Sequence, residues 1–187
     1  MIKNKKDLAE FIKADNCNHW EKNTNKFILF LRQDEFYHIN KYFKLLRKQE
    51  FYANNIVNRK VYILFYYLYT FRKNRLGNKL NIIVPENTLG IGVTICHKNI
   101  VINPNSKIGK YSILHGNNCI GNDGINDKAP MIGDYTNIGY GACVIGDIQL
   151  ADYMYIGANA VVNKSFNQDN QIIAGVPAKY RRKKNEI

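Results

Sequence analysis

Between Cys96 and Val162 an apolar residue recurs every six positions. Ile102, Ile108, Leu114 and Ile120 are followed by Ile132, Ile138, Val144, Leu150, Ile156 and Val162, and the single missed beat falls at Asn126. Glycine follows the beat at Gly109, Gly121, Gly133, Gly139 and Gly157. Small residues fall four places after it at Ser106, Ser112, Thr136, Ala142 and Ala160. An α-helix needs a period of about 3.6 and an ordinary strand a period of about 2, so six fits neither. A six-residue beat belongs to a parallel β-helix, with one short strand and one turn per repeat and the beat residue stacked inside. The missed beat marks Asn122 to Ala129 as a loop ejected from the coil, and loops on a rigid scaffold are usual places for function.

The chain before the beat reads differently. Leu8, Phe11 and Ile12 make an i, i+3, i+4 face, and Phe27, Phe30, Leu31, Tyr42, Phe43, Leu45, Leu46 and Tyr52 continue such faces. No proline or glycine occurs before Gly77, which permits three or four long helices, with Gly77 as the expected stop. The division expected is a helical part over 1–80, a β-helix over 81–178 and a basic, mobile tail over 179–187. Each exposed end of a solenoid needs a cover, which the helices and the tail segment would supply.

Charge is unevenly placed. The net charge is +12, of which +9 lies in residues 1–90 and +3 in residues 91–187. A basic N-terminal part is drawn to something acidic: nucleic acid, an anionic membrane face or a polyanionic glycan. The plain alternative is a solvated surface. Residues 61–71 are apolar or aromatic except Thr70, with Arg59, Lys60, Arg72 and Lys73 at the ends. The run is too short to span a bilayer; it suits an interfacial helix, or a helix buried between the helical part and the first coils. Cys17, Cys96, Cys119 and Cys143 lack metal or disulfide spacing, and no secretory leader is visible, so reduced thiols and a cytoplasmic setting are expected. No metal-ligand cluster, phosphate-binding glycine loop or nucleophile elbow occurs.

The beat, the ejected loop and the ending Ile173-Ala174-Gly175-Val176-Pro177-Ala178-Lys179 resemble the hexapeptide-repeat acyltransferases, whose fold is a left-handed parallel β-helix. The run Ile95-Cys96-His97-Lys98-Asn99-Ile100-Val101 and the loop end Ala129-Pro130-Met131-Ile132-Gly133 narrow the likeness to the serine acetyltransferase branch. The resemblance covers residues 76–184 well and the helical part only in character. It implies acetyl-CoA as co-substrate, no metal, and a homotrimer with active sites between subunits. It also implies His97 as the general base that deprotonates an acceptor hydroxyl as it attacks the thioester, an effect worth about 10²–10⁴-fold. His97 follows the expected inward position Cys96 and so would face outward.

The sequence departs from that branch at three places. Serine acetyltransferases carry acidic residues where this chain has Cys96 and Ile82, and a second histidine where it has Ala129. Without charges for the ammonium of serine, a sugar hydroxyl of a capsular or other surface polysaccharide becomes the expected acceptor, acidic or neutral, with peripheral membrane association near its site of synthesis and no nucleic-acid partner. Serine O-acetylation is the alternative, and a non-catalytic, glycan- or partner-binding β-helix the third. His115 lies eighteen residues after His97, one turn of a three-sided coil, so the spacing places both on one face with their backbones about 4.8 Å apart. His115 is thus a second catalytic candidate, to bind the acceptor, orient His97 or touch the thioester carbonyl; the plain alternative is a stacking residue with no chemical role. Asn117 is a candidate donor to the acceptor or the thioester carbonyl. Asp123 and Asp127 are candidates to fix the tautomer of His97 from the loop, from the same subunit or a neighbour. For CoA the resemblance points to Tyr140, Gly141, Ala142, Asn159 and Ala160 along the later coils, with Lys164 and Lys179 for its phosphates.

Overall fold

The computed structural model describes residues 1–15 and 26–183. Among these residues four helices, α1 (Lys5–Asp15), α2 (Lys26–Leu31), α3 (Glu35–Asn55) and α4 (Tyr62–Leu80), precede a three-sided parallel β-helix. All ten beat residues point inward, none more than 5% exposed. Each short strand pairs with the one a coil later: Ile100 with Asn118, Met131 with Gln149, Asn137 with Tyr155, Cys143 with Val161. Across the missed beat the pairing steps from Lys107 to Met131, Ile113 to Asn137 and Cys119 to Cys143, six residues more, so the loop extrudes one whole repeat and leaves the register intact. The small residues line the inner corners; the Ser112 hydroxyl donates to the Gly133 carbonyl and accepts from the Thr136 amide. Ile138 sits fully buried in the middle of the stack. Ile138→Val is expected to lower stability by about 1 kcal/mol in urea unfolding, the usual cost of one buried methyl.

Upstream the phase slips. The inward residues there are Val84, Leu89 and Ile95, and Cys96 is only half-buried. Ile95 pairs with Leu114, nineteen positions on, whereas Ile100 pairs with Asn118. One additional residue is therefore accommodated in the corner between Ile95 and Ile100, and Cys96 is not the inward position the beat predicted.

The helices cover the first coil. The Asp34 side chain caps α3 by accepting from the Phe36 amide at 2.9 Å. The expected stop at Gly77 is corrected: α4 runs on to Leu80 and ends at Asn81 in the left-handed conformation, its N–H bonded to the Gly77 carbonyl. Gly77 is needed for a close approach, since a Cβ there would lie 2.5 Å from the Ile82 carbonyl oxygen. The Tyr42 hydroxyl accepts from the Val84 amide, and burial pushes it well above the usual tyrosine range. Only one face of α4 is buried, through Lys73, Gly77 and Leu80; Leu64, Leu68 and Phe71 stay exposed, so the helix is not enclosed between the helical part and the coils. At the other end, Lys179–Lys183 pairs antiparallel with Gln171–Ala174, so the tail expected to be mobile forms a strand up to Lys183.

Candidate active site

Each coil turns three corners. At the corner leading into the five-stranded sheet, Asn81, Asn99, Asn117, Gly141 and Asn159 all take positive φ. The turn needs a left-handed residue in every coil, and Asn and Gly accept that conformation at least cost. His97 belongs to this edge, with its side chain 53% exposed. Its ring lies between Phe36 at 6.2 Å and Tyr140 at 6.4 Å, centroid to centroid. Gly116 faces it in the next coil, where a Cβ would come within 2.6 Å of the His97 Cβ and 3.2 Å of the Tyr140 ring. Glycine there keeps the space beside the imidazole open.

The partner of His97 is a residue the sequence reading did not find. Glu35, in the first turn of α3, places Oε2 3.6 Å from His97 Nδ1, while its Oε1 accepts from the Lys98 amide at 2.7 Å. That second bond ties the carboxylate to the backbone next to the histidine. A carboxylate at Nδ1 favours the tautomer with the proton there, which leaves Nε2 as the basic nitrogen. The available signal was Asp34-Glu35, an acidic pair opening a helix; its distance along the chain from His97 hid the connection.

The extra corner residue also separates the two histidines. His97 stands opposite Gly116, and His115 falls level with Cys96, so they are diagonal neighbours rather than a stacked pair. His115 is half-buried, and its Nε2 is buried without a hydrogen-bond partner. Asn117 is exposed on the His97 edge. Tyr140, Gly141 and Asn159 continue the same edge upward, whereas Ala142 and Ala160 are buried within the coil and can offer a ligand only backbone. The edge's amides are largely committed: Gly116 donates to Asn118 Oδ1, Asn117 to the Lys98 carbonyl and Gly141 to the Gly116 carbonyl. Oxyanion support from these coil amides is thereby reduced, and the Asn117 side chain remains an exposed donor on the same edge.

Asp123 and Asp127 stand elsewhere. Their loop leaves from a different corner, between the five-stranded and three-stranded sheets. Asp123 accepts from the Ile125 amide, the Asp127 carbonyl accepts from Asn105, and Lys128 pairs with Asp147 at 2.7 Å. Within one chain the described contacts of His97 are with Glu35, Phe36 and Tyr140 and not with this loop. Lys164 lies over the Phe166 ring near that other corner, and Lys179 is exposed on the last strand. Among the described residues no three His, Cys, Asp or Glu side chains gather as metal ligands.

An outward imidazole backed by a carboxylate, on the edge of a three-sided coil of six-residue repeats, defines a hexapeptide-repeat β-helix protein with a candidate acid–base site. No family model matches the sequence. Over 84 residues it is 38% identical to mitochondrial serine acetyltransferase 3 of Arabidopsis thaliana, covering 43% of this chain and 21% of that one. Over 96 residues it is 35% identical to the serine acetyltransferase of Mycobacterium tuberculosis, covering 50% and 42%. The chain thus spans less than half the length of these curated relatives. Among solved structures, the serine acetyltransferase of Neisseria gonorrhoeae superposes with a TM-score of 0.68 at 20% identity, covering 97% of this chain and 69% of that one. The soybean serine acetyltransferase superposes at 0.69 with 19% identity, covering 93% and 69%. The fold is the left-handed parallel β-helix with an N-terminal helical part, as in those serine acetyltransferases. The relatives are serine acetyltransferases rather than members of the polysaccharide-modifying branch that the sequence departures favoured.

Proposed function

We propose that the chain is an acetyl-CoA-dependent O-acetyltransferase with His97 as general base, working as a homotrimer. The observation that carries this reading is the Glu35–His97 pair at 3.6 Å on the edge that also holds Tyr140, Gly141 and Asn159. In the reaction the acceptor oxygen attacks the thioester carbonyl carbon while His97 Nε2 takes its proton. The C–O bond forms, the C–S bond breaks, and the departing CoA sulfur receives the proton from the imidazolium. The products are the acetyl ester and free CoA thiol.

Serine is the first acceptor to test. Its support is the identity of the relatives and the Glu35 carboxylate, which could meet an ammonium beside the base. A sugar hydroxyl is the second reading, favoured by the neutral groups where the branch carries charged ones. Ile82 and Ala129 are buried, and burial pushes the Cys96 thiol up, which keeps it uncharged at neutral pH.

Thiol release from acetyl-CoA, measured with serine and with a panel of saccharides, decides between them. Acetyl transfer to serine alone supports the first reading; transfer to a saccharide alone overturns it in favour of the second. Absence of acetyl-CoA binding by calorimetry overturns both and leaves a non-catalytic β-helix. Glu35→Gln is expected to cost about tenfold in kcat/KM, or about 1.4 kcal/mol. A fall confined to kcat assigns Glu35 to orienting His97, whereas a rise in the KM for serine assigns it to the ammonium.

A further inference from the structure

Helix α4 carries an apolar face that none of the described residues covers. Val61, Leu64, Leu68 and Phe71 recur along one side of it with Tyr67 beside them, and Leu64 and Phe71 are 67% and 65% exposed. Scattered exposed apolar residues are ordinary, but a contiguous stripe along three helical turns marks an interaction surface.

The charge around the stripe narrows the partner. Between Glu50 and Glu86 the chain has six cations and no carboxylate. Arg59 and Lys60 precede the stripe, and Arg72, Arg75 and Lys79 follow it, all exposed; Lys73 is turned inward to the Val84 carbonyl. Beside the stripe, Lys41, Leu45, Phe71, Arg72, Arg75 and Lys79 line a hollow of about 260 Å³ between α3 and α4. Among the described residues none of these cations has a salt bridge. Four cations around an apolar floor match an anionic headgroup whose chains continue into an apolar phase. A second copy of this chain fits less well, because it would bring the same uncompensated cations to the contact.

We infer that α4 docks the protein on an anionic bilayer, with Leu64, Leu68 and Phe71 entering the acyl boundary and Arg72, Arg75 and Lys79 among the headgroups. This geometry is that of an interfacial amphipathic helix, and no described helix is long and apolar enough to cross a membrane. Asn81 caps α4 and hydrogen-bonds Asn99, two residues from His97, so the docked helix would hold the candidate site close to the membrane. The inference does not depend on which acceptor is used.

Co-sedimentation of the full chain with vesicles tests it. The protein should pellet with vesicles containing about a third phosphatidylglycerol, remain in solution with pure phosphatidylcholine, and be released by salt as screening shortens the reach of the charges. The double variant Arg72→Ala, Arg75→Ala should weaken binding about 25-fold, at about fivefold per cation. The double variant Leu64→Glu, Phe71→Glu should abolish it, with circular dichroism as the check that both variants are folded. Equal binding to both vesicle types, unchanged binding by the folded variants, or no pelleting overturns the inference. So does self-association of the wild type, seen by analytical ultracentrifugation, that Leu64→Glu abolishes.

Discussion

His97→Ala is expected to lower kcat for acetyl transfer by about 10²–10⁴-fold while leaving acetyl-CoA binding within about twofold. A hydroxyl is a weak nucleophile at neutral pH, and the imidazole is the exposed proton acceptor on the edge where Tyr140, Gly141 and Asn159 continue. The histidine stands at the lower end of that edge, so its loss would leave the upper coils unchanged. Single-turnover thiol release together with calorimetric titration of acetyl-CoA separates the two quantities. A full rate in the alanine variant would remove His97 from the mechanism. Because the His97 and His115 rings are not stacked, His115→Asn should cost far less than His97→Ala if its role is packing. A comparable loss would show that the buried Nε2 of His115 serves the reaction.

The largest expected effect on stability belongs to Arg47→Ala, about 3–5 kcal/mol in urea unfolding. The guanidinium is fully buried and binds three parts of the chain. It donates to Asp15 at 2.7 and 3.3 Å, to Glu50 at 2.9 Å, and to the carbonyls of Leu89 and Gly90 at 3.0 and 2.7 Å. Asp15 in turn accepts from the Gly92 amide and Glu50 from the Asn87 amide. Removing the cation would leave two buried carboxylates without their counter-charge, so α1 and α3 should loosen from the first coil together. Replacing Arg47, Asp15 and Glu50 together by apolar residues of similar size should cost much less than Arg47→Ala, because the desolvation penalty leaves with the charges.

Burial alone would lower the Arg47 guanidinium, but Glu50 and then Asp15 more than offset this and hold it above its ordinary value. Burial pushes the Asp15 carboxyl up from 3.8, and Arg47 pulls against that without cancelling it. The folded chain therefore holds the Asp15 proton more tightly than the unfolded chain does. The contribution of this titration to stability is fully present below pH 3.8 and is lost as pH rises through the shifted value. Asp15→Asn should remove that pH dependence, as read from urea midpoints between about pH 4 and about pH 7.

Much of the fold was legible because a β-helix is written locally. The side chain that faces inward is set by the strand and turn of its own repeat, so Ile102 through Val162 could be placed by counting, and Asn126 located the extruded loop. Counting failed where the chain meets the helices. The corner between Ile95 and Ile100 holds one residue more than the corner above it, which moved Cys96 off the inward position and His115 out of line with His97. Within one chain the carboxylate beside His97 comes from Glu35, and the loop of Asp123 and Asp127 leaves from another corner. The apolar run in α4 looked the same in sequence whether buried or exposed, and only the packing of its Lys73, Gly77 and Leu80 face showed which side is left to solvent.

The sequence by itself determined the coil, its inward stack and the position of the extruded loop, since each follows from a short period repeated along the chain. Tertiary structure alone decided what stands beside His97. That depended on α3 being held against the first coil through Arg47 and Tyr42, a long-range contact that brings Glu35 to the imidazole and leaves no periodic trace in the sequence.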